Sequence, residues 1–348
     1  MSSPGSRHTR IVATLGPSSR DPFVLRRMLE EGLDWARLNY SHGDHEEQAR
    51  AAETLRVVSR MTGRPVHVMA DLGGPKIRIG SVPAPIDVRA GQELVLGSGR
   101  DEPEGIPITV PHALAGRTVG ETLAIGDGAI ELEVTEVDRG WVRCRVVTGG
   151  QLRAYQGVTI VGVRDGSPSL TAKDEDDLRA ALALGVDVVC LSMVRRREDV
   201  TMLRARVPDG TLVLAKVEDA QGIAALESIV TAADGIVLAR GGIGCHLPRT
   251  EVPLVQKEVL ARCAAEGRMG VVASEMLLSM VEQPRPTRRE ASDITTALLD
   301  GADALLLSEE TAVGAHPIDA VAELRQMAEA VEASPWYSAV RTRRIFRA

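Results

Sequence analysis

Charged and hydroxyl side chains recur where eight short apolar runs of the sequence end. Lysine and arginine can neutralise an anion, carboxylates can hold a cation, and hydroxyls can donate or accept hydrogen bonds. A strand that ends in such a residue and is followed by a helix, eight times over, predicts an α/β protein of the (β/α)8 TIM-barrel type. Catalytic groups of that architecture collect at the C-terminal ends of the strands, so these residues predict an active-site rim. They are Arg37, Asn39, Asp71, Ser192, Arg195, Lys216, Glu218, Arg240, Ser274, Ser308 and Glu310.

A lysine and a glutamate two residues apart give the clearest chemical signal. Lys216 and Glu218 end one apolar run, and residues two apart in a strand face the same side. If that side is the barrel mouth, a cation and a carboxylate lie there together. A surface lysine at a strand end is the ordinary alternative, and the shared face favours the functional interpretation. For Asn39 and Ser41, a functional role and the capping of a local turn are equally favoured, because both residue types also cap turns.

The elements that must position these residues follow from apolar runs, turn residues and helix caps. Asp21-Pro22 is typical of a helix start, and Gly63 is a typical stop for a helix over residues 44–61. The stretch that begins at Thr171 resembles a helix capping arrangement. The predicted barrel strands are residues 11–15, 35–38, 66–70, 187–191, 212–216, 235–239, 270–273 and 304–307.

The helix–strand rhythm stops after the third predicted strand. Residues 76–166 show alternating apolar and polar positions and turn signals such as Asp127-Gly128, which predict a small all-β domain inserted after strand three. We therefore expect a barrel domain over residues 1–75 and 167–335, a β-barrel lid domain over 76–166, and a tail over 336–348.

Composition limits the classes of partner. The 348 residues are 44% hydrophobic and 26% charged, with a formal net charge of −7, which predicts a folded core and argues against nucleic acid or an anionic membrane as partner. The four cysteines show no C-x-x-C spacing, so a zinc site is not expected. No signal-like start or run of about 20 apolar residues is present, and a cytoplasmic location is the default expectation.

Several sequence strings resemble pyruvate kinases. They are Arg10-Ile-Val-Ala-Thr-Leu-Gly-Pro17, Ala36-Arg-Leu-Asn-Tyr-Ser-His-Gly43, Leu214-Ala-Lys-Val-Glu218, Pro284-Arg-Pro-Thr-Arg288, Asp300-Gly-Ala-Asp303 and Leu307-Ser-Glu-Glu-Thr-Ala312. They occur in the family's order over nearly the whole chain, with the β insertion at the expected place. The resemblance implies phosphoryl transfer between phosphoenolpyruvate and ADP, with pyruvate and ATP as products.

The resemblance also implies roles for individual residues. Lys216 matches the lysine that holds the phosphoryl group in flight, and Arg37 matches a second phosphoryl contact. Glu218 matches a carboxylate ligand of a divalent metal, Mg²⁺ or Mn²⁺. Ser274 stands where the family usually has a threonine near the enolate carbon.

Three further groups are implied by the same resemblance. The substrate contacts are Gly241, Gly242, Ser274 and Ser192. The monovalent-cation pocket comprises Asn39, Ser41, Asp71, Leu72 and Lys76. The residues near the nucleotide are His42, Arg78 and Gln156. Lys76, Leu72 and Ile79 resemble relatives that need no K⁺, so we expect no K⁺ requirement.

The sequence departs from the family pattern at chemically important positions. Gly242 replaces the aspartate that is the second metal ligand, and Gln156 replaces a lysine that contacts nucleotide phosphates. Two carboxylates that the family lacks, Glu275 and Glu309, stand after strands seven and eight. Either of them could replace the missing metal ligand, or both could repel a nucleotide's phosphates.

Three functional interpretations stay open at this point. The first is phosphoryl transfer with a relocated metal ligand. The second is metal-dependent enolate chemistry on pyruvate or a related 2-oxo acid, as in a lyase or decarboxylase, without nucleotide. The third is a catalytically inactive homologue. Because the family's C-terminal effector domain has no counterpart in the sequence, a monomer or homodimer and no sugar-phosphate allostery are expected.

Overall fold

The computed structural model describes residues 7–97, 105–114, 116–126, 128–138, 140–162 and 168–338. Asp127 of the predicted turn and residues 339–348 of the predicted tail lie outside these ranges. The strands in the described ranges are β1 (Arg10–Thr14), β2 (Trp35–Asn39), β3 (His67–Leu72), β4 (Ile77–Arg78), β5 (Ile86–Val88), β6 (Glu93–Gly97), β7 (Thr122–Ile125), β8 (Ile130–Asp138), β9 (Trp141–Thr148), β10 (Gly150–Leu152), β11 (Gly157–Ile160), β12 (Val188–Leu191), β13 (Leu212–Val217), β14 (Gly235–Ala239), β15 (Met269–Ala273) and β16 (Ala304–Leu307).

Helices separate the strands of the barrel. Short 3₁₀ helices also occur at Pro111–Leu114 and Leu278–Val281. The α-helices are α1 (Pro22–Glu30), α2 (His45–Thr62), α3 (Ala172–Ala183), α4 (Arg197–Arg204), α5 (Ala220–Ala224), α6 (Leu226–Ala232), α7 (Arg240–His246), α8 (Val252–Ala265), α9 (Arg288–Asp300), α10 (Glu309–Ala312) and α11 (Pro317–Glu332).

Eight parallel strands close into a barrel. Their order around it is β1-β16-β15-β14-β13-β12-β3-β2, and each pairs in parallel with both neighbours. The predicted (β/α)8 architecture is therefore confirmed. The chain leaves the barrel after β3 and returns at α3, so the insertion lies where the sequence placed it.

One apolar cluster fills the barrel interior with side chains from all eight strands. Its buried members are Val12, Trp35, Met69, Val188, Cys190, Leu214, Val237, Val271, Ala273, Ala304 and Leu306. Strand residues two apart share a face, so the next inward positions beyond this apolar layer include several polar residues. Among them are Thr14, Arg37, Asp71, Ser192 and Lys216.

Helix caps are among the best-predicted local features. Asp21 caps α1 by accepting hydrogen bonds from the Phe23 and Val24 amides, and Gly63 ends α2 in the left-handed conformation with φ 64°. Thr171 forms a capping box with Asp174 at the start of α3. Each cap satisfies backbone groups that a helix end would otherwise leave without a partner.

Glu290 ties the start of α9 to the preceding 3₁₀ helix. Its carboxylate accepts hydrogen bonds from the amide and hydroxyl of Ser279 at 2.7 and 2.6 Å, and from the amide and hydroxyl of Thr287 at 2.6 and 2.8 Å. Burial raises the pKa of Glu290, but these four hydrogen bonds outweigh it and lower the pKa below its usual 4.5.

Glu290→Gln is expected to lower the free energy of unfolding at pH 7 by about 1 kcal/mol, because an amide cannot accept all four bonds. A carboxyl with a lowered pKa stabilises the fold above its unfolded-state pKa, and that stabilisation is lost as the pH falls through the lower folded-state value. Urea unfolding at pH 7 and near pH 3 should show the deficit shrinking in acid. Glu282→Gln, an exposed neighbour, is the control; equal deficits at both pH values would contradict this account.

Contacts divide the chain into two compact units. One comprises Met1–Gly74, Pro168–Arg240 and Thr250–Ala348, and the other comprises Pro75–Ser167 and Gly241–Arg249. The second unit therefore includes a nine-residue stretch that the sequence boundaries assigned to the barrel.

The second unit is built from antiparallel strands. Six of them form a sheet in the order β4-β11-β7-β8-β9-β6, and β5 pairs with β10. This unit has its own apolar core, which includes Ile79, Leu96, Leu123, Ile130 and Val142. The proposed lid role of this unit stays a prediction.

No helix in the described ranges has both the length and the apolar character that a membrane span requires.

Candidate active site

The inward polar positions of neighbouring strands meet at the C-terminal end of the barrel. Arg37, Asp71, Ser192 and Lys216 are each at most 9% exposed. Strand pairing places Cys190 beside Asp71. Ser192 comes two residues after Cys190 and therefore lies closer to the C-terminal end of the barrel than Cys190 does. Four of the sequence-predicted site residues therefore form one buried polar cluster.

Asp71 is the centre of this cluster. Its carboxylate accepts bonds from Lys216 Nζ at 2.6 and 2.7 Å and from Arg37 Nε and Nη2 at 2.7 and 2.6 Å. The Ser192 hydroxyl lies 3.3 Å from Asp71 Oδ1 and donates to the Leu72 carbonyl at 2.5 Å. One carboxylate is thus the shared counter-ion of two buried cations.

The charge of Lys216 is favoured by its neighbours. Burial lowers the pKa of Lys216, but the negative charges of Asp71 and Glu218 outweigh burial and raise that pKa above its usual value. A protonated ammonium with little solvent around it interacts strongly with an anion, because a low local dielectric strengthens charge interactions.

Glu218 lies just beyond β13 and is 5% exposed. One of its oxygens accepts a hydrogen bond from the Met193 amide at 3.1 Å. Met193 has a positive φ of 55°, and its carbonyl accepts the Ser169 hydroxyl at 2.7 Å. The left-handed residue after β12 therefore turns its N–H toward the carboxylate, a contribution that the sequence did not indicate.

Thr14 is a second residue that sequence reasoning missed. Its hydroxyl accepts from Arg37 Nη1 at 2.9 Å and donates to the Leu307 carbonyl at 2.8 Å. Thr14 lies two residues beyond the inward-facing Val12, so the two-residue period of strand β1 was the available signal.

The residues assigned to a monovalent-cation pocket have mixed surroundings. Asn39 accepts the Ser41 amide at 3.1 Å, which is the local turn that was the alternative for this pair. Asn39 also pairs with Asp71 across β2 and β3. Leu72 is buried, and its carbonyl accepts the Ser192 hydroxyl. His42, assigned to the nucleotide, is exposed.

Five of the remaining assigned residues belong to the second unit. Arg78 donates to the Tyr155 carbonyl at 2.9 Å, and the Gln156 side chain accepts the Arg153 amide at 2.8 Å. Lys76 is half-buried. Two further assigned residues of this unit, Gly241 and Gly242, lie in the first turn of α7.

Ser274 follows β15 in an uncommon backbone conformation. Ser274 and Glu275 have positive φ values of 77° and 55°, in a region that non-glycine residues rarely occupy. Ser274 is half-buried and Glu275 is exposed. Glu309, the other candidate replacement ligand, is also exposed, whereas its neighbour Glu310 is buried.

The divalent-metal assignment can be tested against the donor set. The described ranges contain no group of three or more histidine, cysteine, aspartate or glutamate side chains placed to hold a metal. A buried glutamate still suits Mg²⁺, which proteins often hold through one or two carboxylates together with substrate oxygens and water. Glu218 therefore fits as a single protein ligand, and Gly242 supplies no side chain.

The closed β/α barrel has buried cations and carboxylates at its C-terminal end, which is where β/α-barrel enzymes carry their active sites. The family described as "Pyruvate kinase, barrel domain" matches residues 6–321. This chain belongs to the pyruvate kinase family.

Similar proteins agree with this membership. The chain is 39% identical over 331 residues to the pyruvate kinase of Geobacillus stearothermophilus, an alignment that covers 92% of this chain and 56% of the relative. It is 40% identical over 333 residues to that of Mycobacterium tuberculosis (94% and 71%) and 41% identical to that of Mycobacterium intracellulare (94% and 71%). The chain thus spans little more than half of the Geobacillus protein.

Proposed function

We propose that this protein transfers a phosphoryl group between phosphoenolpyruvate and ADP, with pyruvate and ATP as products. The observation that carries the proposal is the convergence of Lys216 and Arg37 on one buried carboxylate at the barrel's C-terminal end. Two fixed cations at one point suit a multiply charged phosphoryl group, whose transfer depends mainly on positioning and charge neutralisation.

Each residue of the cluster has a distinct part in this reaction. Lys216 neutralises the equatorial oxygens of the phosphoryl group in flight, and Arg37 fixes their orientation through its planar guanidinium. Asp71 keeps both cations in place between turnovers. When the phosphoryl group leaves, the remaining enolate takes a proton at carbon, and Ser274 is the hydroxyl assigned to that end of the substrate.

A divalent cation, Mg²⁺ or Mn²⁺, belongs to this proposal. Glu218 would hold it from the protein side, with its carboxylate oriented by the Met193 amide. When bound, the cation supplies positive charge that stabilises negative charge developing on the substrate oxygens.

The test is a direct measurement of nucleotide binding and turnover. Calorimetric titration of ADP into the protein with Mg²⁺, followed by an assay of pyruvate formation from phosphoenolpyruvate and ADP, should show binding and transfer. Absence of both would overturn the proposal.

A second function is favoured by specific departures from the family pattern. Gly242 and Gln156 remove groups that the resemblance assigns to the metal and the nucleotide, and the Gln156 side chain accepts a local backbone amide. The alternative is enolate chemistry on pyruvate or a related 2-oxo acid without nucleotide. Metal-dependent exchange of the methyl protons of pyruvate with solvent, without ADP binding, would favour it. Absence of both activities would favour an inactive homologue.

Turnover is expected to need no added K⁺, because the ammonium of Lys76 can supply a positive charge that a bound ion would otherwise bring. The rate should change by less than tenfold when a large organic cation replaces K⁺ at constant ionic strength. Lys76→Glu should create a K⁺ dependence, and Arg89→Glu, at an exposed position of the same unit, is a control for the charge change alone. A tenfold or greater activation of the wild type by K⁺ would contradict this expectation.

A further inference from the structure

The turn after β15 holds two consecutive non-glycine residues in the left-handed region. Ser274 has φ 77° and Glu275 has φ 55°. Side chains with a Cβ disfavour this conformation, and such residues persist where surrounding contacts determine the backbone. The contacts that hold this turn therefore decide where Ser274 stands.

Arg240 holds the first half of the turn. Its Nη2 donates to the Ser274 carbonyl at 2.8 Å and lies 3.2 Å from the Met276 sulfur. The guanidinium is held from its other side by Asp293 at 2.8 Å and by Gln256 at 3.2 Å, and the Arg240 side chain is only 12% exposed. Arg240 is thus fixed by two helices, α9 and α8, and transmits their positions to the turn.

Glu310 holds the second half. This buried carboxylate accepts the Leu277 amide at 3.0 Å and the Ser308 amide at 2.6 Å. The left-handed pair therefore lies between two charged side chains, the largely buried Arg240, which binds the Ser274 carbonyl, and the buried Glu310, which binds the Leu277 amide. Neither of them needs to touch a substrate to set the position of Ser274.

We infer that Arg240 is a positioning residue for the reaction: it fixes the left-handed turn and, through it, the Ser274 hydroxyl. The effect on the reaction rests on the proposed function. The fixing of the turn by the Arg240 side chain, called the brace below, rests on the contacts alone. A small displacement of a reacting group costs large factors in rate, so loss of the brace should lower kcat far more than it changes substrate binding.

Arg240→Gln tests the brace. An uncharged amide keeps part of the side-chain volume but cannot span the Ser274 carbonyl and Asp293 together. We expect kcat for phosphoenolpyruvate and ADP to fall about ten- to a hundredfold, while KM for ADP stays within about threefold. Amide hydrogen exchange over residues 274–277, followed by mass spectrometry, should rise by about tenfold or more because local opening becomes easier.

Arg268→Gln is the matched control. Arg268 precedes the opposite end of the same strand, β15, and forms a distant ion pair with Asp234 at 4.0 Å. The control should leave both kcat and exchange over 274–277 close to the wild-type values. Guanidinium ions added to Arg240→Ala should restore part of kcat, whereas a merely destabilised protein would not respond in this way.

The outcomes separate the brace from the proposed function. Faster exchange over 274–277 in Arg240→Gln, a selective loss of kcat and recovery with guanidinium support the inference. Unchanged exchange, or equal effects of Arg268→Gln, overturn it. A wild type that transfers no phosphoryl group refutes the proposed function, and the exchange measurement then still decides whether Arg240 holds the turn.

Discussion

Lys216→Met is expected to lower phosphoryl transfer from phosphoenolpyruvate to ADP by about a thousandfold or more. Methionine keeps much of the aliphatic length but removes the ammonium, and loss of one charged group that stabilises a transition state typically costs two to five powers of ten. Because Lys216 is only 7% exposed, we expect a loss in rate greater than the lower end of that range. The loss should lie mainly in kcat, because the charge demand is greatest in the transition state.

The variant should remain folded, because Asp71 keeps Arg37 as its counter-ion at 2.6 Å. Thermal unfolding monitored by circular dichroism checks this point. Lys257→Met is the matched control, since Lys257 is 53% exposed and pairs with Asp300, and it should retain wild-type turnover. A Lys216→Met protein that is folded and turns over within tenfold of the wild type would show that Lys216 is a structural partner of Asp71.

The sequence was sufficient to predict the barrel and the occurrence of polar residues at the C-terminal ends of its strands. Apolar runs and helix caps located the elements, and the two-residue period of a strand predicted that Lys216 and Glu218 share a face. These are properties of single elements, so they can be inferred without knowing which elements are neighbours.

The partners across the site could not be inferred in the same way. The assignment of Asp71 to a monovalent-cation pocket stays a prediction, and the structure adds that its carboxylate is the shared counter-ion of Arg37 and Lys216. That role depends on distances between side chains 34 and 145 positions apart in the sequence. The resemblance supplied names for the residues, and the geometry supplied their mutual contacts.

Backbone conformation was the other feature hidden from the sequence. Met193, Ser274 and Glu275 adopt positive φ values although none of them is glycine or asparagine, the residue types that usually signal such turns. Contacts from distant residues stabilise the turns, as Arg240 does for Ser274. The left-handed positions therefore require the tertiary structure.

Gly242→Asp is expected to tighten Mn²⁺ binding by about tenfold, or roughly 1.4 kcal/mol, and to raise phosphoryl transfer by a similar or larger factor. Two carboxylates hold a hard cation better than one and fix its position against substrate oxygens, and Gly242 stands where the resemblance places the second one. Gly242 lies in the first turn of α7, where a negative side chain is also favourable for the helix.

Mn²⁺ titration of both proteins, followed by assays with phosphoenolpyruvate and ADP, measures the effect. Gly244→Asp adds the same charge to the same helix at a glycine whose Cβ would meet nothing within 4 Å, and Gly242→Asn adds a similar shape without charge. Neither control should tighten Mn²⁺ binding. Equal gains in Gly242→Asp and Gly244→Asp would indicate a general charge effect and contradict a ligand role for position 242.

The same variant separates the two candidate functions. If the site has been rebuilt around another substrate, the aspartate should lower activity on that substrate, because its volume fills space that glycine leaves and its charge opposes an anion. If the wild type already transfers phosphoryl groups at an ordinary rate and the variant is no different, the missing carboxylate has been replaced elsewhere. Glu275→Gln and Glu309→Gln would then identify the replacement ligand, because only the loss of that ligand should weaken Mn²⁺ binding. Adding Gly242→Asp to the weakened variant should restore Mn²⁺ binding.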